Sequence, residues 1–190
     1  PFFTLVAADT RLSGEGRLEL GSARPKFAWR IAAENLALPP LDTTDTEPLP
    51  LAFLPGVDGS LSLMATRIAL FGLPPIQNVN AELTLENGLL QLQSFNAALA
   101  GGRMEGRGQV DTSVKPPLLE GSFDISSATL AHPVFDFPFD LAAGRIDMAG
   151  RLAASGHSAS ALIASLQGAG RFLLADGVLA GLALRDAYAS

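Results

Sequence analysis

A chain of 190 residues, 48% hydrophobic and only 17% charged, has the apolar content to bury a sizeable core without metal or disulfide, and its charged share is below the ~25% usual for soluble domains. Its formal net charge of −6 opposes a nucleic-acid partner, which needs clustered Lys and Arg to release counterions from phosphates. The absence of cysteine excludes thiolate catalysis, disulfides and Cys-ligated zinc.

Residues 1–190 read as one domain fragment of a larger protein. Pro1 is not an initiator methionine, and no basic segment followed by an apolar run opens the chain, so the natural start is expected to lie elsewhere. The longest uncharged stretch, 152–170, contains Ser155, His157, Ser158, Ser160, Ser165 and Gln167 and is too polar to cross a bilayer.

Along the chain, apolar residues alternate with polar ones, the pattern of strands with one buried face. The acidic, Thr-rich stretch 39–50, PPLDTTDTEPLP, has four prolines and predicts a long loop or hinge, since proline cannot donate to a central ladder. Val79, Ala81, Leu83 and Leu85 alternate with Asn78, Asn80, Glu82 and Thr84, predicting a strand over 78–85. The same reasoning predicts strands near 103–110, 118–126, 144–154 and 170–175. Glu86-Asn87-Gly88, Ala100-Gly101-Gly102 and Ala175-Asp176-Gly177 are expected to be hairpin turns. The segment from His132 to Phe139 lacks alternation and is expected to wrap a sheet edge or end. A short helix is predicted within 158–168, with Ser158 as N-cap, Leu162, Ile163 and Leu166 as its apolar stripe, and Gly168 ending it. A second is expected to begin after Leu184. One-sided patterning belongs to antiparallel rather than parallel sheets, so the fold class is mainly β, an antiparallel meander with one or two short helices.

Catalytic chemistry finds little support. His132 precedes a proline, His157 precedes a helix N-cap, and no Gly-x-Ser-x-Gly elbow occurs, so both read as ordinary loop histidines and the chain as a non-enzyme. Two isolated histidines make no metal site, and no cofactor is expected. Gly101-Gly102, Gly106-Arg107-Gly108 and Gly168-Ala169-Gly170 complete no phosphate-loop pattern and are better explained by turns and closely packed strands. Asp111, Asp124, Asp136, Asp140 and Asp147 are numerous enough for glycosidase pairing, but aspartate on a solvent face or in a turn is the plainer reading. Arg103, Arg107, Arg145, Arg151 and Arg171 fall mostly opposite the apolar residues, either as a solvated face or as a basic rim for lipid headgroups or an acidic partner.

Two stretches, 85–111 and 151–184, resemble the C-terminal region of AsmA-family envelope proteins. The resemblance rests on the Ala100-Gly101-Gly102 turn, on Gly156 and Ser158 before a short helix, on the step Leu166, Gly168, Gly170, and on Asp176-Gly177 with Gly181. It implies a curved β-groove in the periplasm of a Gram-negative cell, anchored to the inner membrane by an N-terminal segment absent here. The implied partners are phospholipid or another acyl-chain lipid, with a role in outer-membrane homeostasis.

A sheet with one apolar face must cover it, because large exposed apolar patches seldom persist. Leu83, Leu85, Phe123, Ile125, Ile146, Met148 and Leu152 are therefore the candidate lipid-facing residues, lining either an open groove or a closed core. The alternative is a structural or assembly module that binds other envelope proteins without lipid.

Overall fold

Among the described residues the alternating segments form ten strands: β1 (Phe2–Ala7), β2 (Thr10–Glu19), β3 (Lys26–Leu38), β4 (Asp58–Leu70), β5 (Ile76–Glu86), β6 (Leu89–Leu99), β7 (Gly102–Asp111), β8 (Leu118–Leu130), β9 (Asp140–Ser155) and β10 (Gln167–Ala180). The helix α1 (Ala159–Ser165) lies between β9 and β10, and a single 3-10 turn, Leu54–Gly56, precedes β4. The structure is a computed structural model that describes residues 2–7, 10–21, 23–38, 42–70, 74–130 and 140–180. The His132–Phe139 stretch and the segment after Leu184 lie outside them.

All ten strands share one open sheet in chain order, β1 to β10. The mainly β architecture expected from the alternation is present, and each predicted strand falls within β5, β7, β8, β9 or β10. One pair departs from the antiparallel meander: β3 and β4 are parallel, with Lys26 opposite Asp58 and Leu38 opposite Leu70. The proline-rich loop explains the departure. The chain leaves β3 at one end of the sheet and must return along its length before β4 can start, and the described residues 42–57 lie along that return.

The tight turns follow their residue chemistry. Asn87 and Gly88 have φ of 54° and 81°, and Ala100 and Gly101 have φ of 49° and 79°, the paired positive values of a hairpin whose twist matches its strands. Asp176 also has a positive φ, 55°, yet it makes no hairpin. β10 runs on through it with a register shift between Ala175 and Val178, so the expected Asp-Gly turn is a β-bulge inside one strand. A similar bulge at Asn78, φ 53°, lets Ile76 and Val79 both face inward although three positions apart.

The predicted helix is present, with Ser158 Oγ accepting the Ala161 N–H at 3.2 Å. It ends before Gly168, however. Leu166 is already extended, and Gln167 opens β10 opposite Ala153, so Gly168 sits in the sheet opposite Leu152. Seven residues are too few to hold a helix alone. The Ser165 hydroxyl ties α1 down, accepting from the Ser155 N–H at 2.8 Å and donating to the Ser155 carbonyl at 2.7 Å.

Candidate functional site: an apolar trough in the sheet

Register carries one face across the sheet. Leu61, Leu83, Leu92, Gly108, Gly121, Leu152 and Gly168 form one row from β4 to β10. Toward the β5–β6 turn, the next row contains Leu85, Leu90, Val110, Leu119 and Ala154; on the other side lie Ala81, Phe95, Gly106, Phe123, Gly150 and Gly170. Further along are Val79, Ala97, Met104, Ile125 and Met148, then Ile76, Leu99, Ala128, Ile146 and Leu174. The opposite face carries the exposed charges, including Glu82, Arg107, Glu120 and Arg151.

A flat single-layer sheet would leave its apolar face wet. Here Val79, Ala81, Ala97, Ile125, Ala128 and Ile146 are buried, which requires the sheet to curve around that face so that side chains from distant strands converge. One cluster runs from Leu12 on β2 through Ala33, Ala65, Ile68, Ile76 and Val79 to Met104 on β7.

The seven candidate lipid-facing residues all fall on this face, and they divide by depth. Leu85, Ile125 and Ile146 are buried as core, whereas Leu83, Phe123 and Met148 are half-buried and Leu152 is 40% exposed. The face is thus most deeply packed around Leu85 near one end and around Ile125 and Ile146 toward the other, and most exposed at Leu152 in the middle band between them. Burying one large aliphatic side chain contributes about 1.5–3 kcal/mol, so the packed rows hold the sheet together while the middle row contributes less.

Glycines floor the open band. Gly106 and Gly108 on β7, Gly121 on β8, Gly150 on β9 and Gly168 and Gly170 on β10 all take inner-face positions. Large neighbours lie across some of them: a Cβ on Gly150 would stand 2.9 Å from the Phe123 ring, and one on Gly168 would stand 2.7 Å from the Leu152 side chain. At Gly121 a Cβ would meet only the Arg107 carbonyl, at 3.5 Å, so the space above that position is open. Sequence reasoning assigned Gly106, Gly108, Gly168 and Gly170 to turns and close strand packing, while the alternation already put Gly121 and Gly150 on the apolar face. The signal that could have found the floor is their alternation with polar residues in GRMEGRGQVD, where glycine takes the slots an apolar residue would fill.

A strap closes one end of the trough. Within the proline-rich stretch the chain meets the α1 region: Pro48 bridges Ser158, the Leu49 N–H donates to the His157 carbonyl at 2.7 Å, and the Ser160 N–H donates to the Asp45 carbonyl at 2.9 Å. It then crosses to the β5–β6 turn, where Pro55 lies beside Gly88, and reaches β4 with the Asp58 N–H on the Pro25 carbonyl at 3.0 Å. Leu54 on this strap is only 3% exposed, and Leu85, at the same end, only 2%.

Carboxylates anchor the strap and its neighbouring turns. Asp58 Oδ1 accepts the Asn87 N–H at 2.9 Å and faces Arg24 at 3.4 Å; the Asn87 hydrogen bond, followed by the nearby arginine charge, holds its pKa below 3.8 despite some desolvation. Asp111 is lowered by the Ser113 hydroxyl and Asp42 by the Thr44 hydroxyl. These are turn-holding groups. His157 is exposed and engaged through its carbonyl, Asp124 pairs with Arg171 at 3.8 Å, and the Ser127 N–H donates to Asp147 at 2.7 Å. Among the described residues no cluster of His, Cys, Asp or Glu could hold a metal ion, and no helix is long and apolar enough to cross a membrane. His132 and Asp136 lie outside the described residues.

An open, strapped sheet with one continuous apolar face defines a β-trough protein. The AsmA family model matches residues 33–189, most of the chain, and the chain belongs to the AsmA family, which is associated with the bacterial envelope. Neither the curated proteins nor the solved structures provide a match.

Proposed function

We propose that the trough accommodates the acyl chains of a phospholipid, as a periplasmic module of an inner-membrane-anchored protein that supports outer-membrane homeostasis. The observation carrying this reading is the middle band: apolar residues floored by glycine, with the exposed Leu152 between the buried Leu85 and Ala154 on one side and the buried Ile125 and Ile146 further along on the other. Glycine removes side-chain volume where a core would need it, and each methylene an acyl chain buries there contributes about 0.8 kcal/mol. The strap makes one end blind, so a chain enters tail first and its methyl end stops near Leu54 and Leu85. The module binds and guides lipid without catalysing a reaction, and it needs no metal or cofactor.

A second reading has its own observation. β10 is the last strand in the sheet, with Phe172 and Leu173 on its opposite faces 53% and 60% exposed. An apolar edge with no second partner strand among the described residues suits the addition of another envelope protein's strand. Mass spectrometry of lipid extracted from gently purified protein separates the two. Stoichiometric phospholipid supports the trough, and lipid-free protein that captures a partner through β10 supports the assembly module.

A further inference from the structure

The arginines on the outer, polar face are not all alike. Arg11, Arg30, Arg103, Arg145 and Arg171 each pair with a carboxylate, on Glu34, Glu15, Glu105, Asp176 and Asp124 respectively. Arg107 and Arg151 form no ion pair among the described residues, and they are neighbours. Both are in register with Ser122, one on each side, so their Cα atoms stand two strand spacings, about 10 Å, apart across a hydroxyl. Arg17 and Arg67 also form no ion pair among the described residues, but neither is in register with another such cation there.

These two arginines line a cleft of about 900 Å³ that crosses β6 to β10, whose lining also includes Glu120 and the middle-row residues Leu92, Gly108, Gly121, Leu152 and Gly168. Gln91, Gln109 and Gln167 line it too. Gln109 donates to the Glu120 carboxylate at 2.7 Å through its amide nitrogen. Two guanidiniums beside a serine hydroxyl suit one oxyanion, because guanidinium offers paired donors in the geometry a carboxylate or phosphate accepts. Amide side chains present a donor and an acceptor together, the combination that sugar hydroxyls need.

We infer that this cleft is a binding site for an acidic oligosaccharide, with Arg107, Ser122 and Arg151 holding an anionic group and the glutamines holding neighbouring hydroxyls. Arg107, Ser122 and Arg151 take positions that alternate with the apolar row on their strands, so the inference does not depend on the acyl-chain reading. Like all contacts between exposed charges, it weakens as salt rises.

Calorimetric titration at low ionic strength tests it, using trigalacturonate, neutral galactotriose, inorganic phosphate and phosphatidylglycerol vesicles as probes. Trigalacturonate is expected to bind, with galactotriose and phosphate each weaker by about tenfold or more. The double variant Arg107→Gln/Arg151→Gln should lose about tenfold or more in affinity, while Arg103→Gln/Arg145→Gln, equal in charge change, should stay within about twofold. All four positions are exposed, so an unchanged melting curve is the expected control. No binding of trigalacturonate overturns the inference. So do equal losses in the two double variants, phosphate binding as tightly as the sugar, or binding confined to the vesicles.

Discussion

Phe123 on β8 lies flat over Gly150 on β9, so that a Cβ at position 150 would stand 2.9 Å from two carbons of the ring. The same arrangement places the Phe27 ring 2.6 Å from a Cβ on Gly59. A large side chain covering a cross-strand glycine keeps the face apolar while keeping it shallow. Gly150→Val should therefore push Phe123 out of its place and cost about 1–3 kcal/mol, read as a lowered midpoint in thermal or urea denaturation.

Gly121→Leu is the contrasting case. Its Cβ would meet only backbone at 3.5 Å, so the new side chain rises into the open band without displacing a neighbour. The expected outcome is a melting temperature close to wild type together with loss of bound lipid. A fall as large as that of Gly150→Val would show that this band is filled.

Depth on the face predicts how a charge is tolerated. Ile125 is 8% exposed, and Ile125→Lys should cost several kcal/mol, enough to abolish the cooperative melt of a marginal domain. Leu152 is 40% exposed, and Leu152→Lys should fold, because the ammonium can reach water, but should retain less lipid. Circular dichroism melts of the two variants check the contrast.

Much of this was legible in the sequence, for a definite reason. Period-2 alternation fixes which face each residue takes, so Leu83, Phe123, Met148 and Leu152 could be assigned to one surface before any strand was paired. Alternation says nothing about depth on that surface, which is why Leu85 and Leu152 could not be told apart. Depth comes from curvature and from the strap, and the strap comes from a proline-rich stretch whose own pattern shows only that it is not a strand. Local turn chemistry misled at Asp176, where a residue able to take positive φ sits in a bulge because β9 continues to pair with β10 beyond it. It misled at Gly168 as well, since a glycine after a helix fits a C-cap and a sheet floor equally well.

The Asp58 contacts give the strap an acid sensitivity. Hydrogen bonding from Asn87 and the charge of Arg24 lower the folded-state pKa beneath 3.8, so the carboxylate form is favoured by folding. Its contribution is fully present above 3.8 and is lost as pH falls through the lower folded value. Asp58→Asn should remove that part of the acid dependence, and the stability difference between variant and wild type should shrink as the pH drops below 3.8. Urea midpoints measured from pH 7 to pH 2.5 read this out.

Photocrosslinking with a phosphatidylglycerol that carries a diazirine at the end of one acyl chain tests the central claim most directly. Tail-first entry into a strapped trough predicts label on peptides containing Leu54, Leu85 and Leu119, and its loss in Gly121→Leu. Absence of label from the wild-type protein, or label confined to polar-face residues such as Gln91 and Arg107, would contradict it.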